Sequence, residues 1–169
     1  QEAPTSKSVR FKWREHVTKT VSENGEALEK FCNALKDGNS EVLEQSLNNY
    51  LKRTISIRDT FVKKQMKENF YHGILLGILG FQQNWSVSSN KESGDGYSDI
   101  LIETEDQETG IIIEIKYAET GNLEAVSEDA LKQIEDRRYE EQLLEEGVEH
   151  ILKYGIAFYK KKCKVMAVK

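Results

Sequence analysis

The chain has 169 residues, 38% of them apolar and 31% charged, which allows one domain with a buried core, or one domain with an extension. Its longest apolar stretch, residues 73–81, is far shorter than the ~20 residues that span a bilayer, so we expect no membrane insertion. The net charge of −5 disfavours an extended nucleic-acid-binding surface, because contacts with phosphate groups require lysine and arginine.

The beginning of the chain has the features of a connecting segment. It starts at Gln1 without a signal-like apolar region, and residues 1–8 resemble a linker, so we expect a fragment of a longer protein. The two cysteines, Cys32 and Cys163, lack the spacing of metal ligands or redox pairs. We expect them to be buried, reduced thiols, which suits a cytoplasmic protein.

Apolar residues at helical spacing fill the N-terminal part of the chain. Residues 9–54 predict helices that break at the turn sequence DGNS, with Ser40 as the N-cap of the second helix. A longer helix is predicted over residues 58–79. We therefore expect a helical extension, or linker to a missing upstream domain, over residues 1–56, and a compact domain over residues 57–169.

The pattern changes from helix to strand after Gly80. Residues 127–146 return to helical spacing and end at Gly147, a residue type that favours helix C-termini. Strands are predicted in the segments NWSVSS, YSDILIE, GIIIEIKY and, on either side of a lysine-rich turn, YGIAFYKKKCKVMAV. The order of one helix, three strands, one helix and two strands predicts an α/β domain with a mixed sheet.

Charge is unevenly distributed along the chain. Residues 124–149 hold ten acidic and three basic residues, a net charge of −7, so the remaining residues carry +2. The acidic segment is typical of a solvated helix face. Seven lysines form two groups. Lys63, Lys64 and Lys67 lie on the predicted helix, and Lys160, Lys161, Lys162 and Lys164 lie in the predicted turn. Either group could contact a nucleic-acid backbone or serve only for solubility.

Two charged residues, Glu114 and Lys116, interrupt the isoleucine run GIIIEIKYA and share one face of the predicted strand. If the preceding strand pairs with Glu103 opposite Gly110, then Asp99 lies opposite Glu114. Two carboxylates opposite each other in a hairpin repel, and burying them unpaired costs several kcal/mol more. A cation between them would remove the repulsion, and carboxylate oxygens suit Mg²⁺ or Mn²⁺.

An ordinary surface ion pair would also explain Glu114 and Lys116 by themselves, because short motifs of this kind often occur by chance. It does not explain why the charges interrupt a run of isoleucines, or why the symmetrical register places Asp99 beside them. We therefore interpret the three residues as a metal site, in which Lys116 partly neutralises the carboxylates or orients a water molecule.

Five segments within residues 60–168 occur together in the order and spacing of a known family: ENFYHGILLGIL, SSNKESGDGYSDILIE, IIIEIKYA, ALKQIEDRRY and YGIAFYKKKCKV. Together they resemble the PD-(D/E)XK nuclease superfamily, in particular a bacterial branch in which the nuclease domain follows an AAA-ATPase-like domain. The resemblance implies a restriction-endonuclease-like α/β core, with a central mixed β-sheet flanked by helices and preceded by the N-terminal helical extension.

The resemblance also implies roles for individual residues. Asp99 and Glu114 would bind the metal, Mg²⁺ or Mn²⁺, together with the main-chain carbonyl of Ile115. Lys116 would orient or activate the attacking water. Glu68, on the preceding helix, would add a further catalytic acid.

Three residues are candidates for contact with the substrate. Gln133 matches a glutamine of the family's following helix, His72 lies four residues after Glu68 on one helix face, and Lys64 belongs to the first lysine group. The alternative for His72 is a surface histidine with a charged partner. The alternative for Gln133 is pairing with other side chains along the helix surface. Members of the family commonly have arginine in the loop before the aspartate. This chain has Tyr97 there, so the arginine that would contact a phosphate from that loop is missing.

The resemblance thus implies a metal-dependent nuclease that hydrolyses phosphodiester bonds in nucleic acid, with DNA as the expected substrate and an upstream AAA-ATPase-like domain as a partner. The alternative is a nuclease-like fold without catalysis, used to bind nucleic acid or protein. The intact set of Asp99, Glu114 and Lys116 favours the enzyme, because a binding module has no physical reason to keep two opposed carboxylates in a strand pair. The acidic net charge favours the binding module slightly.

Overall fold

The structure is a computed structural model of the chain, and it describes residues 25–55, 64–91, 97–136 and 139–169. Five helices and five strands lie within these ranges. The helices are α1 (Gly25–Asp37), α2 (Ser40–Thr54), α3 (Lys64–Leu79), α4 (Leu123–Asp136) and α5 (Tyr139–Glu145). The strands are β1 (Ser86–Lys91), β2 (Tyr97–Glu103), β3 (Thr109–Tyr117), β4 (His150–Tyr159) and β5 (Lys162–Val168).

The five strands form one mixed sheet in the order β1-β2-β3-β4-β5. Neighbouring strands are antiparallel except for β3 and β4, which are parallel. Parallel neighbours need a crossover connection, and here it contains α4 and α5. The predicted restriction-endonuclease-like α/β architecture, a mixed sheet flanked by helices after a helical N-terminal region, is confirmed.

The hairpin of β2 and β3 has the register that symmetrical pairing predicts. Glu103 lies opposite Gly110, and Asp99 lies opposite Glu114. The side-chain period of a strand is two, so a slip of one residue would have moved both carboxylates to different faces. The opposition of Asp99 and Glu114 is therefore a property of the fold and not only of the sequence pattern.

Strand β3 is buried on both faces, which explains its isoleucine run. Ile111, Ile113 and Ile115 contribute to the main core, which also contains buried residues of α1, α2 and α3. Ile112 points the opposite way into a smaller cluster with Leu101 and with residues of α4 and α5. Glu114 and Lys116 share the parity of Ile112, so they lie on the α4 side of the sheet.

The helices differ in detail from the sequence predictions. Asn39, not Ser40, caps α2, because its side-chain oxygen accepts a hydrogen bond from the Val42 amide at 3.1 Å. The single helix predicted over residues 127–146 begins earlier and is divided into α4 and α5. Gly147 follows α5 with a φ of 93°, a conformation that glycine adopts without strain. The predicted helical residues 9–24 and 58–63 lie outside the described residues.

Helix α2 covers the outer edge of the sheet. The Asn48 side chain donates to the Cys163 carbonyl at 3.1 Å and accepts from the Cys163 amide at 2.9 Å. A carboxylate oxygen of Glu44 accepts from the Val165 amide at 2.9 Å. These bonds occupy main-chain groups of β5 that an edge strand would otherwise present to another chain. The predicted domain boundary after residue 56 stays a prediction, but α1 and α2 pack in the same core as the sheet.

None of the helices in the described ranges is both long and apolar enough to cross a membrane. Both cysteines are buried and free, as predicted, and burial raises the pKa of the Cys32 thiol to about 11. The pKa of the Cys163 thiol is raised for the same reason. A raised pKa keeps a thiol protonated at neutral pH, so both side chains serve as packing groups.

Candidate active site

Asp99 and Glu114 form the centre of the candidate site. They face each other across the antiparallel pair of β2 and β3, where opposed Cβ atoms lie about 4.5–5.5 Å apart. Asp99 is 0% exposed and Glu114 is 1% exposed. Among the residues that the structure describes, none offers a hydrogen bond to Oε2 of Glu114. A buried carboxylate oxygen in this condition is costly, and a cation would satisfy it.

The site opens toward the carboxyl end of β3. On the α4 side of that strand, Ile112 is fully buried and Glu114 is nearly so, whereas Lys116 is half-buried. The lysine therefore lies between the buried carboxylates and solvent, on the same face as both. Of the two charged side chains on this face of β3, Lys116 is therefore the more accessible.

A glycine of the neighbouring strand brings α4 against the site. Gly155 pairs with Glu114 across β3 and β4. A Cβ atom at Gly155 would overlap the main-chain oxygen of Ser127 and lie 2.9 Å from the main-chain nitrogen of Leu131. The backbone of α4 consequently lies directly on the sheet beside Glu114. The sequence analysis overlooked this residue, although a glycine inside a strand often marks a close backbone approach.

We predict that Gly155→Ala destabilises the fold by about 1–3 kcal/mol, because the new methyl group meets main-chain atoms that cannot rotate away. Gly77→Ala is the control, since a Cβ at that exposed helical position meets no described atom within 4 Å. Alanine favours helix over glycine by about 1 kcal/mol, so the control should stabilise the protein. Urea denaturation of both variants tests this, and equal effects would contradict the close approach of α4.

Glu68 lies at the end of the site strand. It is carried by α3, whose buried side chains pack in the main core on the face opposite α4. One of its carboxylate oxygens accepts a hydrogen bond from the Tyr117 amide at 3.0 Å. Glu68 thus fixes the main chain directly after Lys116. Its predicted role as a catalytic acid stays a prediction, while its contact with Tyr117 shows how it holds the strand end.

His72 is buried against the main chain of Asp99. Its side chain is 4% exposed, and burial lowers its pKa, an effect partly opposed by a hydrogen bond with the main chain of Asp99. The alternative that His72 is a paired surface histidine is therefore wrong. The predicted substrate contact stays a prediction, but burial against Asp99 favours a positioning role for His72.

The remaining predicted residues occupy different parts of the structure. Ile115 is 1% exposed, and its side chain packs in the main core. Its main chain lies between Glu114 and Lys116 on β3. Gln133 is half-buried on α4, which lies on the same side of the sheet as Glu114. Lys64 is exposed at the first residue of α3. The loop before Asp99 includes residues 92–96, which lie outside the described residues.

The donor set at Asp99 and Glu114 fits a hard divalent cation with few protein ligands. Within the described ranges, no three His, Cys, Asp or Glu side chains come together as a metal-binding group. Magnesium does not require such a group, because it is commonly held by one or two carboxylates together with water and substrate phosphates. The unsatisfied oxygen of Glu114 and its opposition to Asp99 match that mode of binding.

Comparison with known proteins agrees with this geometry. No curated protein and no solved structure matches the chain significantly. A family model described as the PD-(D/E)XK nuclease superfamily matches residues 66–168. The match spans more than half of the chain and includes α3 from its third residue, the whole sheet and both crossover helices. The chain therefore belongs to the PD-(D/E)XK nuclease superfamily.

Proposed function

We propose that this protein is a metal-dependent nuclease that hydrolyses phosphodiester bonds, with DNA as its substrate. The observation that supports the proposal most is the buried opposition of Asp99 and Glu114, with an unsatisfied Glu114 oxygen and Lys116 two residues further along the same face. Family membership supports the reaction class. The choice of DNA over RNA rests on the resemblance of the motifs alone.

In the proposed mechanism, Asp99, Glu114 and the main-chain carbonyl of Ile115 would hold Mg²⁺ or Mn²⁺. Such a cation supplies activation of water and polarisation of a phosphoryl oxygen. Lys116 positions the attacking water and stabilises negative charge that develops on the phosphate. Glu68 keeps the strand end in place through the Tyr117 amide, so that the lysine is aligned before the substrate arrives.

A nuclease-like binding module remains the second candidate. The observation in its favour is that the described residues supply only two acidic side chains at the centre, without a third His, Cys, Asp or Glu. Such a module would bind nucleic acid or protein without cleaving it. It would also give no reason for the deep burial of both carboxylates, which is why we favour the enzyme.

Two further parts of the proposal rest on the sequence alone. An AAA-ATPase-like domain upstream in the same polypeptide is proposed from the resemblance of the motifs to one bacterial branch of the superfamily. A cytoplasmic location is proposed from the free, buried cysteines. Neither of them affects the chemistry at Asp99 and Glu114.

The direct test of the function is cleavage of a panel of labelled nucleic acids. Single-stranded, double-stranded and branched DNA and the matching RNA would each be incubated with the protein in Mg²⁺, in Mn²⁺ and in chelator. We expect cleavage of at least one DNA substrate that requires the metal. Metal-independent cleavage, or no cleavage of any member of the panel, would favour the binding module.

Lys116→Met provides a sharper prediction. Methionine keeps much of the lysine's length and apolar contact but removes the charge. We expect single-turnover cleavage to slow by at least ~100-fold, the usual effect of losing one well-placed electrostatic group. Metal binding should be as tight as in the parent or tighter, because a nearby positive charge has gone. Cleavage at the parental rate would reduce Lys116 to a surface charge.

A further inference from the structure

Two lysines that are far apart in the sequence lie near the carboxyl ends of β3 and β4, each against a tyrosine ring. The Lys67 ammonium lies 4.5 Å from the centre of the Tyr117 ring. The Lys160 ammonium lies 5.0 Å from the centre of the Tyr159 ring. The centres of the two tyrosine rings are 6.0 Å apart. Two adjacent tyrosine rings therefore connect a lysine of α3 with a lysine of the β4–β5 turn.

This cluster lies at the same end of the sheet as the proposed chemistry, with Lys67 on the α3 side of the sheet and Lys116 on the α4 side. Tyr117 is the residue after Lys116, and its amide binds Glu68. Tyr159 ends β4, the parallel neighbour of the site strand. Both lysines consequently lie at the carboxyl end of β3 and β4, the same end toward which the half-buried Lys116 leads.

Both lysines are held in place without losing their charge. An aromatic ring attracts an ammonium group through its quadrupole but does not neutralise it. Within the described residues, neither Lys67 nor Lys160 forms an ion pair with a carboxylate. The Tyr71 hydroxyl donates to the Lys160 carbonyl at 2.6 Å, which fixes the turn that carries this lysine. An ammonium group that is held in position and that no described carboxylate pairs with is suited to an anionic partner.

We propose that Lys67 and Lys160 together form a phosphate-binding edge that holds the nucleic-acid backbone beside the cleaved bond. The inference rests on the proposed function for the identity of the anion. The three distances place the two ammonium nitrogens at most about 16 Å apart, so the edge spans no more than about four or five phosphates of one strand along the helix axis. The substrate would thus cross the carboxyl ends of β3 and β4.

The proposal assigns phosphate contact to one lysine from each of the two groups that the sequence offers as alternatives, Lys67 on the helix and Lys160 in the turn. If only one group bound phosphate, removing the other would leave the salt dependence unchanged. If both belong to one edge, each should account for about one neutralised phosphate. The affinity of each single variant should then fall less steeply with salt, by about 0.9 log units per log unit of salt for duplex DNA or about 0.7 for a single strand.

The experiment measures binding of labelled DNA in chelator, where cleavage cannot interfere, over a series of salt concentrations. The variants are Lys67→Gln, Lys160→Gln and the double variant. Lys36→Gln is the control, because Lys36 pairs with Glu105 and Asp106 in the β2–β3 turn, at the opposite end of β3. We expect each single variant to lower the slope by about one phosphate, the double variant by about two, and the control not at all. Lys67→Arg should restore the parental slope.

Cleavage kinetics then separate this inference from the proposed function. In metal, the double variant should raise KM while leaving kcat close to the parental value, because neither lysine contacts the reacting atoms. A double variant with the parental salt slope and KM would overturn the phosphate edge, even if the protein cleaves DNA. Conversely, lysine-dependent binding by a protein that cleaves nothing would support the edge and refute the nuclease.

Discussion

Replacing Glu114 by glutamine is expected to abolish both the response to divalent metal and cleavage. Glutamine keeps the shape of the side chain but removes the charge that opposes Asp99. In the parent, Mg²⁺ or Mn²⁺ should raise the melting temperature, because a ligand that binds only the folded state stabilises it. In Glu114→Gln that increase should vanish, and cleavage should fall to the level seen in chelator.

The metal-free protein offers a second readout of the same change. Two buried carboxylates that face each other destabilise the fold when no cation lies between them. Glu114→Gln should therefore melt at the same temperature as the metal-free parent or higher, although a buried side chain has been altered. Asp99→Ala should likewise abolish the metal response.

Glu103→Gln is the matched control for this experiment. Glu103 lies on the same face of β2 as Asp99, opposite Gly110 and away from the site. Its substitution removes one negative charge from the same sheet face, so it corrects for any general effect of charge on metal binding. The control should keep the parental metal response. The site assignment fails if Glu114→Gln retains the metal-dependent rise in melting temperature.

The hairpin that carries the site was predictable because its information is local. A polar turn separates two apolar runs, strands alternate with a period of two, and symmetrical pairing leaves one register that buries both runs. The opposition of Asp99 and Glu114 follows from these rules alone, and the structure has it. The burial of both cysteines was predictable from residue type in the same way.

The surroundings of the site depend on contacts between distant parts of the chain, which periodicity does not contain. Gly155 marks the place where α4 lies against the sheet beside Glu114. This role can be recognised only once the strand pairing and the position of the helix are both known. The pairing of Tyr117 with Tyr159 likewise requires the parallel register of β3 and β4. The burial of His72 depends on the face that α3 turns toward the sheet.

The N-terminal helices illustrate the same limit. Their sequence predicts helices, yet it does not show what those helices cover, and so it predicts no more than an extension over residues 1–56. In the structure, Leu35, Leu43, Leu47 and Leu51 are each at most 1% exposed. They share one core with the sheet and with α3. Tyr154 of β4 also donates its hydroxyl hydrogen to the Leu35 carbonyl at 2.5 Å.

A chain that begins at residue 57 should therefore fail to fold cooperatively. Truncating one buried leucine to alanine costs about 2–5 kcal/mol. Deleting α1 and α2 removes the contacts of four such leucines, whereas a whole domain is stable by only about 5–15 kcal/mol. The deletion also exposes the amides of Cys163 and Val165, which now bond to Asn48 and Glu44, at the edge of β5.

Thermal unfolding followed by near-ultraviolet circular dichroism measures this prediction, because that signal requires fixed packing of aromatic side chains. A chain of residues 25–169 is the matched control, since it keeps both helices and should show a cooperative transition. The chain of residues 57–169 should show none, and it should aggregate through the uncovered β5 edge. If it melts cooperatively within a few degrees of the control, the helices are an accessory, and the nuclease core is complete without them.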